Sequence, residues 1–173
     1  MSLDRRKAGR GYVEVDLDAI ISNLIQLKKH IGKKSKIIGV IKTDGYGHGS
    51  IPLAKAMEKL DFLSGFAVAT EEEAMELNQA GIHQPIIILG YTFPYAYEEI
   101  AEKGIESTVF RLDMLQEMSK AALKVGHSMR VHIKVDTGMS RIGVLPDDTG
   151  VEFVKKAAAM KGIEVVGIFT HFA

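Results

Sequence analysis

Cysteine and tryptophan are absent from the 173 residues, and proline occurs only four times. Without cysteine the chain forms no disulfide and no thiolate metal site. Neither sign of charge is in excess, since 22 Lys and Arg oppose 22 Asp and Glu. No basic stripe stands out, so nothing recommends nucleic acid as a partner. No apolar run approaches the roughly 18 residues of a membrane span. Met1-Ser2-Leu3-Asp4-Arg5-Arg6-Lys7 has no apolar segment behind its charges, unlike a secretory signal. The expectation is a soluble cytoplasmic protein that meets neither membrane nor nucleic acid. Its length fits one ordinary domain with a sizeable core.

What the chain does have is a short apolar, β-branched run, Ile37-Ile38-Gly39-Val40-Ile41, stopped abruptly by Lys42. The run reads as a buried strand. Thr43-Asp44-Gly45-Tyr46-Gly47-His48-Gly49 follows, with a glycine at every second position, and Ser50-Ile51-Pro52 then opens a helix. A lysine at the end of a buried strand is costly when charged and unpaired, and burial favours the neutral amine. A neutral amine is a nucleophile that condenses with a carbonyl to a Schiff base. The plainer alternative is a lysine pointing to solvent, with Tyr46 and His48 as ordinary loop residues. The GxGxG spacing is one residue short of the dinucleotide fingerprint GxGxxG, so a nucleotide binder has only a misfitting loop behind it.

Along the chain, Tyr12-Val13-Glu14-Val15-Asp16 alternates like a short strand. Leu17, Ile20, Ile21, Leu24, Leu27 and Ile31 recur at helical spacing, with Asp16 as N-cap and Gly32 as the stop. After the Lys42 strand, a helix from Ile51 to about Leu60 takes Ser50 as N-cap and Pro52 in its first turn. Phe66-Ala67-Val68-Ala69 is a second strand. Thr70-Glu71-Glu72-Glu73 has the form of a capping box, and its helix ends before Gly81. The stretch from Pro85 to Gly90 holds a third strand, and a helix of about Tyr95 to Lys103 stops at Gly104. Glu106 to Phe110 is a fourth strand, Leu112 to Val125 a helix closed by Gly126, and Met129 to Val135 a fifth strand. The loop Asp136-Thr137-Gly138-Met139-Ser140-Arg141-Ile142-Gly143, a helix from about Gly150 to Met160 and a sixth strand from Glu164 to Phe169 complete the series.

Strand and helix alternate six times, and several strands are apolar on both faces, the mark of a parallel sheet covered by helices. An open doubly wound sheet and a (β/α)8 barrel of the TIM type both fit. A barrel needs eight units and about 250 residues. The chain stops just after its sixth strand, with no helix to cover that strand. The expectation is therefore a barrel truncated to about its first six β/α units, with the open sheet as the alternative.

In either fold the active site gathers beyond the C-terminal ends of the strands. Lys42 to Gly49, Lys134 to Gly143 and His171 all belong to that rim. Lys134 shares a strand face with His132. Turned inward, it needs a partner or a change of charge state; turned outward, both are solvated. The Arg141 fork suits a carboxylate or a phenolate oxygen. His171 is placed to stack on, or bond to, a planar ligand. The glycine loop offers backbone N–H groups to an anion, with the Tyr46 hydroxyl as a further donor. Together these groups describe a site for pyridoxal 5'-phosphate.

The segments Val40 to Gly49, Lys134 to Gly143 and Gly167-Ile168-Phe169-Thr170-His171-Phe172-Ala173 resemble, in order and approximate spacing, three N-terminal signatures of the alanine racemase family. Val13-Glu14-Val15-Asp16-Leu17 and Leu89-Gly90 fit as well. The resemblance implies that residues 1–173 are an incomplete N-terminal barrel domain and that a C-terminal β domain is absent. It implies a homodimer that racemises a small amino acid, alanine first and serine as the alternative. The GYGHG loop favours racemases over the related decarboxylases and the cofactor-homeostasis group. Lys42 would hold the cofactor and act as one of two bases, and Tyr46 would donate to its phosphate. Arg141 would meet the phenolate oxygen and the substrate carboxylate, His171 would lie against the ring, and Lys134 matches a position carbamylated in several members. The second base would be a tyrosine of the partner subunit's C-terminal domain. The chain alone is therefore expected to be inactive or nearly so, and a non-catalytic module that binds the cofactor or a partner chain is the further alternative.

Overall fold

A computed structural model describes residues 11–173, so the charged N-terminal run lies outside the described residues. Six strands form one sheet: β1 (Ile37–Val40), β2 (Leu63–Val68), β3 (Ile86–Ile88), β4 (Glu106–Val109), β5 (Met129–Val135) and β6 (Ile163–Thr170). All neighbours are parallel, and the spatial order is the chain order, β1 to β6. A doubly wound sheet reverses its order at a switch point; a barrel wall does not. The molecule is thus a curled wall of six strands of the (β/α)8 type.

The helices are α1 (Leu17–Ile31), α2 (Ser50–Met57), α3 (Glu71–Gln79), α4 (Tyr97–Lys103), α5 (Leu112–Val125) and α6 (Asp148–Ala159). The Asp16 carboxylate accepts from the Ala19 N–H at 2.9 Å, the N-cap its position predicts. Two local expectations fail. Tyr12 to Asp16 forms no strand: an alternating segment needs a ladder partner, and none pairs with it among the described residues. Ser50 is not the cap of α2. Gly49 takes that place, and the Ser50 N–H is held by the Asp44 carboxylate at 2.8 Å.

Register sorts the side chains. The outer face of the sheet carries Phe66, Val68, Ile88, Val109, Val131 and Ile133, all fully buried against Leu53, Met57, Leu77, Ile100, Met114, Leu115 and Met118 of the helices. Each such side chain contributes about 1.5–3 kcal/mol by leaving water. Gly39 keeps this layer close, because a Cβ there would sit 2.6 Å from Met57 and 3.3 Å from Phe66. The inner face is polar at its centre, with Glu106, Thr108, Arg130, His132 and Lys134 side by side across β4 and β5. No described helix is long and apolar enough to cross a membrane.

Candidate active site

At Ile41 the chain leaves the sheet and winds into a left-handed turn. Thr43, Asp44, Gly45 and Tyr46 stand at φ 55°, 50°, 62° and 56°. L-residues pay roughly 1–2 kcal/mol each in this region, and a β-branched threonine is the least suited to it. Gly45 also leaves room for its neighbours, since a Cβ there would lie 2.6 Å from the Leu53 side-chain tip and 3.3 Å from the Ser50 nitrogen. The turn is closed by its own backbone: Gly45 N–H to Ile41 O at 2.9 Å, Gly47 to Asp44 O at 3.1 Å, His48 to Gly45 O at 3.1 Å and Gly49 to Asp44 O at 2.9 Å. With Ser50 bound to Asp44, these N–H groups are spent. This corrects the expectation that the glycine loop offers them to an anion. What the turn presents outward is the side chains of Lys42 and Tyr46, with the Lys42 ammonium 5.9 Å from the Tyr46 ring centre.

The second loop is organised by Asp136. Its carboxylate accepts from the N–H groups of Gly138 and Ser140 at 3.0 Å each and of Arg141 at 3.2 Å. These bonds, Gly138 first, hold the Asp136 carboxyl below its ordinary range. Gly143 lets the loop return: a Cβ there would meet the Asp136 nitrogen at 2.5 Å. Asp136 N–H then pairs with Val144 O, and Val144 N–H with Lys134 O, both at 2.9 Å. Thr170 ties in the end of β6 by donating to Val135 O at 2.8 Å.

These loops enclose a cavity of about 460 Å³ lined by Val40, Lys42, Tyr46, Ala69, Leu89, Gly90, Arg141, Ile142 and His171. Lys42, Tyr46, Arg141 and His171 come from segments up to 129 residues apart and share one space. An amine, a phenol, a guanidinium and an imidazole in one concavity can bind an anionic, planar, carbonyl-bearing molecule. Lys134 does not line that cavity. It lies on the inner wall, 3% exposed, donating to Val135 O at 2.9 Å with its ammonium 5.7 Å from the Phe169 ring centre. The inward alternative for this lysine is the one realised.

Below Lys134 is a polar cluster whose role is not apparent from the sequence. The buried Glu106 carboxylate pairs with Arg130 Nη2 at 2.7 Å and Nε at 3.1 Å, and with His132 Nε2 at 2.6 Å. Burial pulls the Glu106 carboxyl upward, but the hydrogen bonds from His132 and Arg130 outweigh it and hold it below the usual range. The His132 ring also explains Gly167, where a Cβ would lie 2.5 Å from Nδ1. A polar residue at every second position of Arg130-Val131-His132-Ile133-Lys134 was the available signal, and its partner Glu106 lay on another strand.

Residues 15–173 match the family model described as "Alanine racemase, N-terminal domain". The chain is 44% identical over 161 residues to alanine racemase 1 of Caldanaerobacter subterraneus subsp. tengcongensis, covering 93% of this chain and 41% of that protein. Among solved structures, the alanine racemase of Clostridium difficile superposes with a TM-score of 0.87 at 39% identity, over 91% of this chain and 41% of that one. A histidine racemase of Leuconostoc mesenteroides subsp. sake superposes with a TM-score of 0.83 at 27% identity, over 91% and 42%. The chain thus spans about two-fifths of the length of these relatives.

Proposed function

The chain belongs to the alanine racemase family, and from that premise we propose that it is the cofactor-binding barrel portion of a pyridoxal 5'-phosphate-dependent amino-acid racemase, with residues 1–173 as its incomplete N-terminal domain. The observation that carries this reading is the convergence of Lys42, Tyr46, Arg141 and His171 on one cavity. The donor set fits the group: an amine for an aldehyde, a phenol for a phosphate, a guanidinium for a phenolate oxygen and an imidazole for a ring. The volume of about 460 Å³ is also within the range of small-molecule sites.

When bound, the cofactor makes the α-proton of an amino acid acidic by delocalising the charge left behind. Lys42 would hold the cofactor's aldehyde carbon and serve as the base on one face. Tyr46 would donate its hydroxyl to the phosphate. Arg141, presented by the Asp136-organised loop, would face the phenolate oxygen and the substrate carboxylate, and His171 would lie against the ring. Inversion needs a second proton-transfer group on the opposite face. That group is expected from the partner subunit of a homodimer, in the part of the family's length that this chain does not span. The relative at 44% identity carries the name alanine racemase, which favours alanine. Serine is the close alternative, and the similarity to a histidine racemase extends this half-barrel to a protein named for a larger side chain.

Titration of the purified chain with pyridoxal 5'-phosphate tests the reading. A visible absorbance band is expected, lost in Lys42→Ala, together with no alanine racemisation by the chain alone. A chain that binds no cofactor would place it instead among association modules, for which the exposed Ile38 and Val40 of the inner face and Ile168 of the outer face speak. Racemisation at an ordinary enzymatic rate would show that the second base is not needed from a partner.

A further inference from the structure

The acid of the Thr70–Glu73 motif does not do what a capping box requires. In that motif the Glu at the third helical position reaches back to the N–H of the capping residue. Thr70 does accept from Glu73 N–H, at 3.4 Å. The Glu73 carboxylate, however, turns away from Thr70. One oxygen accepts from Thr43 N–H at 2.8 Å, and the other from Ala69 N–H at 2.7 Å.

Both acceptances fall where the β1–β2 ladder breaks. Ile41 N–H donates to Ala67 O at 2.9 Å, so in a continuing parallel ladder Ile41 O would receive Ala69 N–H. Ile41 O instead receives Gly45 N–H, because the chain has already entered the left-handed turn. The Ala69 N–H is thereby orphaned, and so is the N–H of Thr43, the first left-handed residue after Lys42. A single carboxylate satisfies both. It spans from the wall residue Ala69 to the backbone immediately following the cavity amine, and it holds a threonine in a conformation that threonine disfavours.

We propose that Glu73 is a positioning residue for Lys42: its carboxylate replaces the missing rung of the β1–β2 ladder and fixes the strained turn that aims the Lys42 amine into the cavity. This rests on the reading of Lys42 as the cofactor-bearing amine. The geometric half stands without it, because the two backbone bonds exist whatever fills the cavity.

The test compares wild type, Glu73→Gln and the neighbouring control Glu72→Gln, each also in a Thr43→Gly background. Glutamine offers one acceptor oxygen and turns a donor toward the second N–H. Glu73→Gln is therefore expected to speed amide hydrogen exchange at Thr43 or Ala69 at least tenfold in the cofactor-free chain, and to weaken pyridoxal 5'-phosphate binding by roughly tenfold or more, as loss of one charge-assisted bond implies. Far-UV circular dichroism and the other core amides should remain as in wild type, and Glu72→Gln should change neither readout. Glycine accepts φ of +55° without penalty, so in the Thr43→Gly background the same change should weaken binding distinctly less. Unchanged exchange at both amides would overturn the proposal. So would a binding loss of equal size in both backgrounds, which would indicate a general destabilisation. Absence of binding in wild type, with faster exchange in Glu73→Gln, would refute the cofactor reading and leave the clamp standing.

Discussion

Glu106→Gln is the sharpest probe of the inner wall. The substitution keeps the shape and removes the charge from a carboxylate holding three contacts, two from Arg130 and one from His132. A hydrogen bond to a charged partner contributes about 1.5–3 kcal/mol. The Arg130 side chain is 40% exposed and regains water when released, so its share falls toward that of a surface pair. The His132 side chain is only 13% exposed and has less to regain. A net loss of about 2–3 kcal/mol follows. With a urea slope of about 1–3 kcal/mol per molar, the unfolding midpoint should drop by roughly 1 M. The dependence on pH carries the sign. The Glu106 carboxyl is held below its ordinary value in the folded chain. Its contribution is therefore full above the unfolded carboxyl's range and is lost as pH falls through the lower folded value. The gap between wild type and Glu106→Gln should be widest at pH 7 and close as the solution is acidified below that range. A gap under about 0.5 kcal/mol at pH 7, or one that does not narrow on acidification, would refute this account of the cluster.

Two further outcomes follow from the same geometry. Gly90→Ala places a Cβ 2.4 Å from the Ala69 carbonyl, and both residues line the cavity; backbone must shift, so stability should fall by about 1–3 kcal/mol in urea unfolding and cofactor affinity should fall with it. If Lys134 is carbamylated, the intact mass should exceed the sequence mass by one carbamate, and the increment should vanish in Lys134→Arg. A bare lysine, with another anion beside Arg141, would dispose of that modification.

The strands and most helices were legible because each β/α unit repeats one signal: an apolar run, a glycine or proline boundary, then helical periodicity. The barrel was favoured over the open sheet by the count of units and by the resemblance, and the strand order, which no local signal encodes, bears that out. The site residues were legible as chemical types, Lys42 after a buried run and Arg141 between glycines, and the resemblance supplied their roles. What escaped were bonds between distant segments. Glu73 looks like a helix cap, yet its carboxylate serves Thr43, 30 residues earlier. Asp44 looks like a loop residue and holds the start of α2. The glycine loop looks like an anion cradle because its glycines were countable, whereas the internal bonds that consume its N–H groups depend on a left-handed path that starts at Thr43, where a β-branched side chain argues against it.

The central claim, that the cavity amine of Lys42 carries the cofactor, is met most directly by borohydride reduction of the chain mixed with pyridoxal 5'-phosphate, followed by peptide mass mapping. The account predicts one reduced adduct, on the peptide containing Lys42, with no comparable label at Lys134 or at the surface lysines. Labelling spread over surface lysines, or concentrated on any lysine other than Lys42, would contradict it.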